Sequence, residues 1–517
     1  MTIRNRRAFL ADVGRGMILA SVGSSVAADL ELTPAWADAT PEPRLSFGPL
    51  EPLVSLMQET KPDKLMPLLV DRLRAGTELR TLVAAGALAN AREFAGQDYI
   101  GYHTFMALAP AYDMAHELPE AQRPLPVLKV LYRNATQIQA TGGCKHEALK
   151  PLAAAGSSLD QPGGELLQQL TRKLDVAGAE QAFASMMAGP LDEAYQQLQY
   201  EVQDEINVHR VVLSWRAWTM IDIAGQEYAH TLLRQSLRYC LDEERHIRDG
   251  QWHSSDVRKV LPKLLDQYKL VGRTLGTRRA DDAWIESFAH TVYGASRPAA
   301  AEAAAAALAD GIAPESIGEA LSVAANQLVL HDPGREKAAS AEKPVGSVHG
   351  DSVGVHASDA ANAWRNIARV SNPRNTVASL IVGAFHTAGQ SGRLKPDPLP
   401  TAEQLASVRS TEPARLLEEL SDAIRQKDQL RATAVATRYS ISGGQPRPIF
   451  DVLLGFATSE DGALHAEKYY RTVAEEFAAT RPAFRWRQVA ALARVTASEF
   501  GKPAPGVAQA KELLKLT

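Results

Sequence analysis

Residues 207–239 read NVHRVVLSWRAWTMIDIAGQEYAHTLLRQSLRY: histidine at the third place, an apolar and aromatic stretch, a polar break at AGQEY, then a second apolar stretch. Two further windows of the same length lie over it, GYHTFMALAPAYDMAHELPEAQRPLPVLKVLYR from residue 101 and GVHASDAANAWRNIARVSNPRNTVASLIVGAFH from residue 354. In each, apolar residues return at three and four, and the break carries Gly, Pro, Asn or charge. That is a helix-turn-helix unit with histidine at a fixed place. The fold expected is therefore all-α, a helical array built from repeated helix-turn-helix units near 101–133, 207–239 and 354–386. The flanks RAGTELRTLVAAGALANAREF and ADGIAPESIGEALSVAANQLVL, before the first and third windows, run parallel and point to duplication.

The rest of the chain agrees with a helical reading. Ala and Leu abound, alternating β-branched runs are scarce, and LLEELSDAIRQKDQLRATAVATRYS carries an amphipathic pattern. AAAEAAAAALADG, residues 299–311, reads as a helix with a small-residue face for close packing. A length of 517 residues suits several domains or one continuous repeat body. A net charge of −4 gives no electrostatic bias towards nucleic acid or anionic lipid, so neither is expected as a partner. Cys144 and Cys240 allow one bridge at most and no thiolate zinc site. No Gly-rich loop follows a strand, and neither Gly-x-Ser-x-Gly nor His-Glu-x-x-His occurs, which argues against dinucleotide binding and the common hydrolase sites.

The N-terminus begins with NRRAFL and continues through a weakly apolar stretch to small residues near Ala37 and Ala39. Arg6, Arg7, Phe9 and Leu10 in this setting resemble a twin-arginine export signal over residues 1–39, followed by an all-helical domain over 40–517. That resemblance implies the twin-arginine translocation machinery as a partner, a periplasmic or secreted location, and often a cofactor taken up before export. Beyond residue 40 no apolar run reaches the roughly 18 residues a membrane span requires.

If the windows are equivalent in space, His103, His209 and His356 occupy equivalent helix starts and can converge on one metal ion, as bundle sites do. Histidine offers a neutral imidazole nitrogen that iron, copper, nickel and zinc all accept. A fourth histidine, His465, opens the helix-like stretch in DGALHAEKYYRTV, residues 461–473, and shares a face with Lys468 three positions on. A lysine ammonium has no lone pair, so Lys468 becomes a ligand only when deprotonated or modified, for example carboxylated by carbon dioxide. The alternative is a surface lysine paired with Glu467 or Glu475.

HASDAANAWR at 356–365, the helices opening at His103 and His209, and DGALHAEKYYR at 461–471 resemble the questin-oxidase-like family over roughly residues 90–475. The resemblance implies an all-helical, non-haem iron oxygenase acting on a small quinone-like or polycyclic aromatic molecule. It implies Fe2+, or another transition metal, held by His103, His209, His356, His465 and a carboxylated, catalytic Lys468. Two departures stand out: Ala463 and Leu464 separate Gly462 from His465, and Asp359 with Trp364 replaces the family's Thr and Leu. Trp215, Trp218, Trp364, Tyr469 and Tyr470 are candidate pocket walls. Minor rival constellations are Cys144, His146 and Glu147, and the pair His246 and His253 with Glu243 and Glu244, whose charge density reads as a solvated surface. His290 and His386 stand apart from both. Two further readings remain open, a periplasmic helical-repeat binding or scaffold protein without catalysis, and a non-redox metal-dependent hydrolase.

Overall fold

The computed structural model describes residues 44–152, 163–338, 340–341, 343–348, 352–462 and 465–516, so the signal-like segment 1–39 lies outside the described residues. Among the described residues there are 23 α-helices and no strand, only three isolated bridges. None of these helices is long and apolar enough to cross a membrane.

The helices that position the site are α1 (Leu79–Phe94), α2 (Tyr99–Glu117), α3 (Pro124–Thr141), α4 (Val208–Ala224), α5 (Ala229–Arg248), α6 (Pro314–Leu330), α7 (Val353–Val370), α8 (Pro373–Thr387) and α9 (Ala466–Ala479). Each histidine window is a helical hairpin: α2–α3, α4–α5 and α7–α8. The breaks fall where the sequence removes helix-forming capacity. Pro124 and Pro373 occupy first helical positions, where a missing N–H has no consequence. Gly225, at φ +119°, ends α4 in a conformation that L side chains rarely adopt.

Four of these helices form a closed circuit. α2 packs on α4, α4 on α7, α7 on α9 and α9 back on α2, while α1, α3, α6 and α8 support the circuit from outside. Helices so enclosed are buried on most faces, which is why α2 and α7 bury nearly every residue after their first turn. Small residues let their backbones approach. The Ala-rich stretch forms the helix Arg297–Ala309, whose Ala300, Ala301, Ala304 and Ala305 are fully buried, with the helix packed on α8, in line with its sequence.

Gly354, in the first turn of α7, meets the backbone of a neighbouring helix. A Cβ there would lie 2.5 Å from the backbone nitrogen of Val329 and 2.7 Å from its Cα, both on α6. Backbone cannot yield as a flexible side chain does. Gly354→Ala is therefore expected to force α6 and α7 apart and destabilise the fold by about 1–3 kcal/mol, the usual cost of overpacking. Denaturant unfolding checks it; an unchanged midpoint would contradict the packing described.

Candidate metal centre

Each of the four histidines sits at the beginning of its helix, and in three cases a short polar side chain fixes that beginning. Asp98 caps α2, its Oδ1 accepting from Gly101 N at 2.6 Å. Asn207 caps α4, its Oδ1 accepting from His209 N at 2.9 Å. Ser352 caps α7, its Oγ accepting from Val355 N at 3.4 Å. These caps satisfy N–H groups that the helix leaves orphaned, and so set where the chain turns inward. His465 itself occupies the cap position of α9, with its backbone N–H donating to Gly462 O at 2.8 Å and its carbonyl accepting from Tyr469 N at 2.8 Å.

The circuit of helices brings the four imidazoles together. Ring centroids are 4.7 Å apart for His103 and His209, 5.5 Å for His209 and His356, 5.6 Å for His356 and His465, and 5.2 Å for His465 and His103. Each ring thus touches two others in a closed loop. His103 is fully buried and His465 nearly so, whereas His209 and His356 are half-buried.

Two of the rings have their outer nitrogen engaged and their inner nitrogen idle. Nδ1–H of His103 donates to Tyr99 O at 2.7 Å, and Nδ1–H of His209 donates to Asn207 Oδ1 at 3.1 Å. In both, Nε2 is buried and has no hydrogen-bond partner among the described residues. A hydrogen bond on one nitrogen fixes the tautomer and presents a lone pair on the other, the arrangement metal-bound histidines adopt. Leaving such a nitrogen unpaired costs about 1–3 kcal/mol, so two of them on rings 4.7 Å apart call for an explanation.

Electrostatics keep these rings neutral. Burial holds His103 well below the ordinary imidazole range, with Lys468 and His209 adding to the effect and the bond to Tyr99 O opposing it. Burial does the same for His209, helped by His356 and Lys468. The positive ends of four helix dipoles disfavour imidazolium further. Neutral imidazole is the form that binds metal.

Lys468 lies in the first turn of α9 and is only 3% exposed, so it is not a surface lysine. Neither carboxylate expected to pair with it does so. Glu467 Oε1 lies 2.6 Å from Lys129 Nζ, and Glu475 is held by Arg216 and Arg471. Burial pushes Lys468 down to about 8, against the pull of the Asp359 and Glu467 carboxylates. Asp359, which departs from the family pattern, accepts from Thr472 Oγ1 at 2.7 Å and is raised by burial.

The rival constellations resolve otherwise. Cys144 is exposed and Cys240 buried, both as free thiols. Glu147 is spent on Arg92 at 3.2 Å. Glu243 and Glu244 are not a solvated surface: both are buried, paired with Arg210 at 2.6 Å and with Arg258. The charges there answer one another across helices, which a single helix pattern does not reveal. His246 stacks on Trp252 at the surface, and His386 accepts from Trp364 Nε1 at 3.2 Å.

Some features do not match an assembled catalytic pocket. Among the described residues no group of three or more His, Cys, Asp or Glu side chains stands ready, as placed, to hold a metal ion. Ring adjacency and donor convergence therefore differ. Adjacency is set by the four helices and, for three of them, by a side-chain cap. A cavity of about 480 Å³ between His290, His331, Leu399 and Trp486 lies away from the four histidines. Of the expected aromatic walls, Trp364, Tyr469 and Tyr470 are fully buried core, whereas Trp215 and Trp218 are half-buried and Trp218 stacks on Tyr195. The aromatics that do flank the histidines are Tyr99 and Tyr102, with Tyr239 behind them. Tyr102 stacks on His103 at 4.9 Å, lies 5.2 Å from His209 and meets Tyr239 edge-on at 5.3 Å. Tyr102 stands beside His103 in GYHTFM, but adjacency in a helix does not show that both face one point.

Two histidines outside the loop give a pH signature. Burial pushes His386 down to about 3 and His230 to about 4, helped by Arg297 and Arg234 respectively. Both stay neutral in the native state while the unfolded chain protonates near pH 6.5. The unfolded state then binds more protons, so stability is full above pH 6.5 and falls as pH drops towards 4 and 3. Each group contributes up to about 1.4 kcal/mol per pH unit. Urea midpoints should fall between pH 7 and pH 5, less so in His230→Gln; a flat profile would contradict this.

Comparison of the chain with protein-family models, with curated proteins and with solved structures finds no match.

Proposed function

We propose that this chain is a metal-dependent oxygenase whose transition metal, Fe2+ in the first instance, is held by His103, His209, His356 and His465. The observation that supports this most is the closed loop of four histidine rings drawn from four helices, with two buried Nε2 atoms that have no hydrogen-bond partner among the described residues. Lys468 completes the set when its neutral amine adds to carbon dioxide and releases a proton, giving a carbamate oxygen donor. Its burial favours the neutral amine that this addition needs.

A bound Fe2+ supplies one-electron chemistry with dioxygen and Lewis acidity towards a substrate oxyanion. The chain's own groups bind and orient. Tyr99 O and Asn207 hold the His103 and His209 rings in the ligating tautomer. Tyr102 and Tyr239 exclude water from one side, and the half-buried His209 and His356 mark the side from which a small molecule approaches. A quinone-like or polycyclic aromatic substrate follows from the family resemblance, and periplasmic or secreted location from the NRRAFL start.

The test is metal analysis of protein purified from its export pathway, followed by dioxygen uptake with hydroxylated anthraquinones after loading with Fe2+ or Zn2+. One metal per chain and uptake with Fe2+ alone are expected. Turnover without dioxygen in the Zn2+ form would favour the hydrolase reading. Absence of any bound metal would favour the helical scaffold.

A further inference from the structure

Three of the four histidine helices are fixed by a polar cap of their own, and α9 is not: His465 occupies its cap position and makes no side-chain capping bond. The turn before it is held instead from another helix. Lys129, on α3, is only 2% exposed. Its ammonium donates to Ala457 O at 2.8 Å and Glu460 O at 2.5 Å, and lies 2.6 Å from Glu467 Oε1. Two of its donors are thus spent on the two carbonyls, and its charge faces the Glu467 carboxylate.

These acceptors are not scattered. Ala457 O belongs to the last turn of the helix Pro446–Ser459, where a carbonyl has no helical partner because Asp461 N turns away to Lys502 O. Glu460 O opens the connection to α9, and Glu467 lies in the first turn of α9, between His465 and Lys468. A cation suits both neighbours, the negative end of one helix and an acidic first-turn residue of the next. One helical turn along α3, Arg133 grips the same connection through Asp461 Oδ2 at 3.1 Å. Glu460 Oε2 ties its other side to Gly501 N at 2.9 Å and Lys502 N at 2.7 Å.

We infer that Lys129, seconded by Arg133, is a positioning residue: from α3 it fixes the turn that delivers His465 and Lys468 to the other three histidines. The first hairpin thus serves the centre twice, with His103 from α2 and the clamp from α3. The link to metal binding rests on the function proposed above; the clamp on His465 stands on geometry alone.

Lys129→Met alone would strand a buried carboxylate, so the variant to use is Lys129→Met with Glu467→Gln, which removes both charges. Arg133→Met, at a part-exposed pair, loosens the same turn with little risk to the fold. Two readouts apply to the full chain: hydrogen exchange of the amides of His465 and Tyr469, and Co2+ titration followed by its ligand-field absorption. Both variants should keep parental circular dichroism, exchange at those amides at least about tenfold faster with α2 and α4 unaffected, and bind Co2+ about 10–100-fold more weakly, the range for loss of an outer-shell partner. Unchanged exchange at His465 and Tyr469 in both variants overturns the inference. Faster exchange with undiminished Co2+ affinity overturns it as well, since the turn would then be immaterial to the centre. If the parent binds no Co2+, the proposed function fails; faster exchange confined to the turn still supports the clamp, and unchanged exchange refutes it.

Discussion

His209→Ala is expected to abolish stoichiometric transition-metal binding while leaving the helical content intact. The His209 ring has one neighbour on each side in the loop, His103 at 4.7 Å and His356 at 5.5 Å, so its removal opens the circuit rather than trimming an end. Its Nδ1 is committed to Asn207, and its buried Nε2 has no other engagement among the described residues. Affinity should fall by more than the roughly 10–100-fold typical of outer-shell substitutions, because a donor atom itself is lost. His209 is half-buried at the start of α4, with the cap at Asn207 untouched, so the helix should survive. Competition titration against a chelator gives the affinity, and His246→Ala, at a surface histidine stacked on Trp252, serves as control. Equal affinity in the parent and both variants would remove His209 from the site.

The second large effect is structural and lies one residue away. Arg210→Met is expected to destabilise the fold by about 3–5 kcal/mol, the range for breaking a buried ion pair by removing one partner. Its guanidinium donates to Glu243 Oε2 at 2.6 Å, to Glu201 Oε1 at 3.1 Å and to Glu201 O at 2.7 Å, and all three side chains are at most 3% exposed. Burial pushes the Glu201 carboxyl up to about 8 even with the Arg210 and Arg258 charges opposing it, so losing Arg210 leaves that carboxyl more poorly compensated. Arg210→Met combined with Glu243→Gln should recover part of the loss, since one stranded charge is removed with its partner. Denaturant unfolding of the single and double variants decides the matter. A single-variant loss below about 1 kcal/mol would place this pair among weak surface bridges instead.

Much of this architecture was legible in the sequence because it follows from local periodicity. The three histidine windows are helical hairpins with breaks at Pro124, Gly225 and Pro373, each a residue whose backbone chemistry ends or starts a helix. The placement of His103, His209 and His356 at helix starts followed from equal position in those units, and their rings with that of His465 lie side by side. What stayed hidden depends on contacts between distant segments. Nothing within YCLDEERHIRDGQWHSS shows that Arg210 and Arg258 bury Glu243 and Glu244. Nothing within DGALHAEKYYRTV shows that Glu467 belongs to Lys129, 338 positions earlier, and so leaves Lys468 beside Asp359. Aromatic identity likewise does not tell wall from core, which is why Trp364, Tyr469 and Tyr470 proved to be packing while Tyr102 stands against the histidines.

On the function proposed above, a bound ion accounts for the grouping of these side chains. Four helix N-termini and four imidazoles, two of them held neutral by burial, lie together with a buried lysine, a costly concentration of polar groups for an apolar core. Packing alone would not select it, since apolar side chains of similar volume would avoid the His103 and His209 nitrogens that lack a hydrogen-bond partner among the described residues.

Metal-edge X-ray absorption on the chain loaded with one equivalent of Fe2+ tests this most directly. Outer-shell scattering from four imidazoles in the parent, falling to three in His356→Ala, is the result expected. A first shell of water oxygens with no imidazole scattering, unchanged in the variant, would contradict a centre built from His103, His209, His356 and His465.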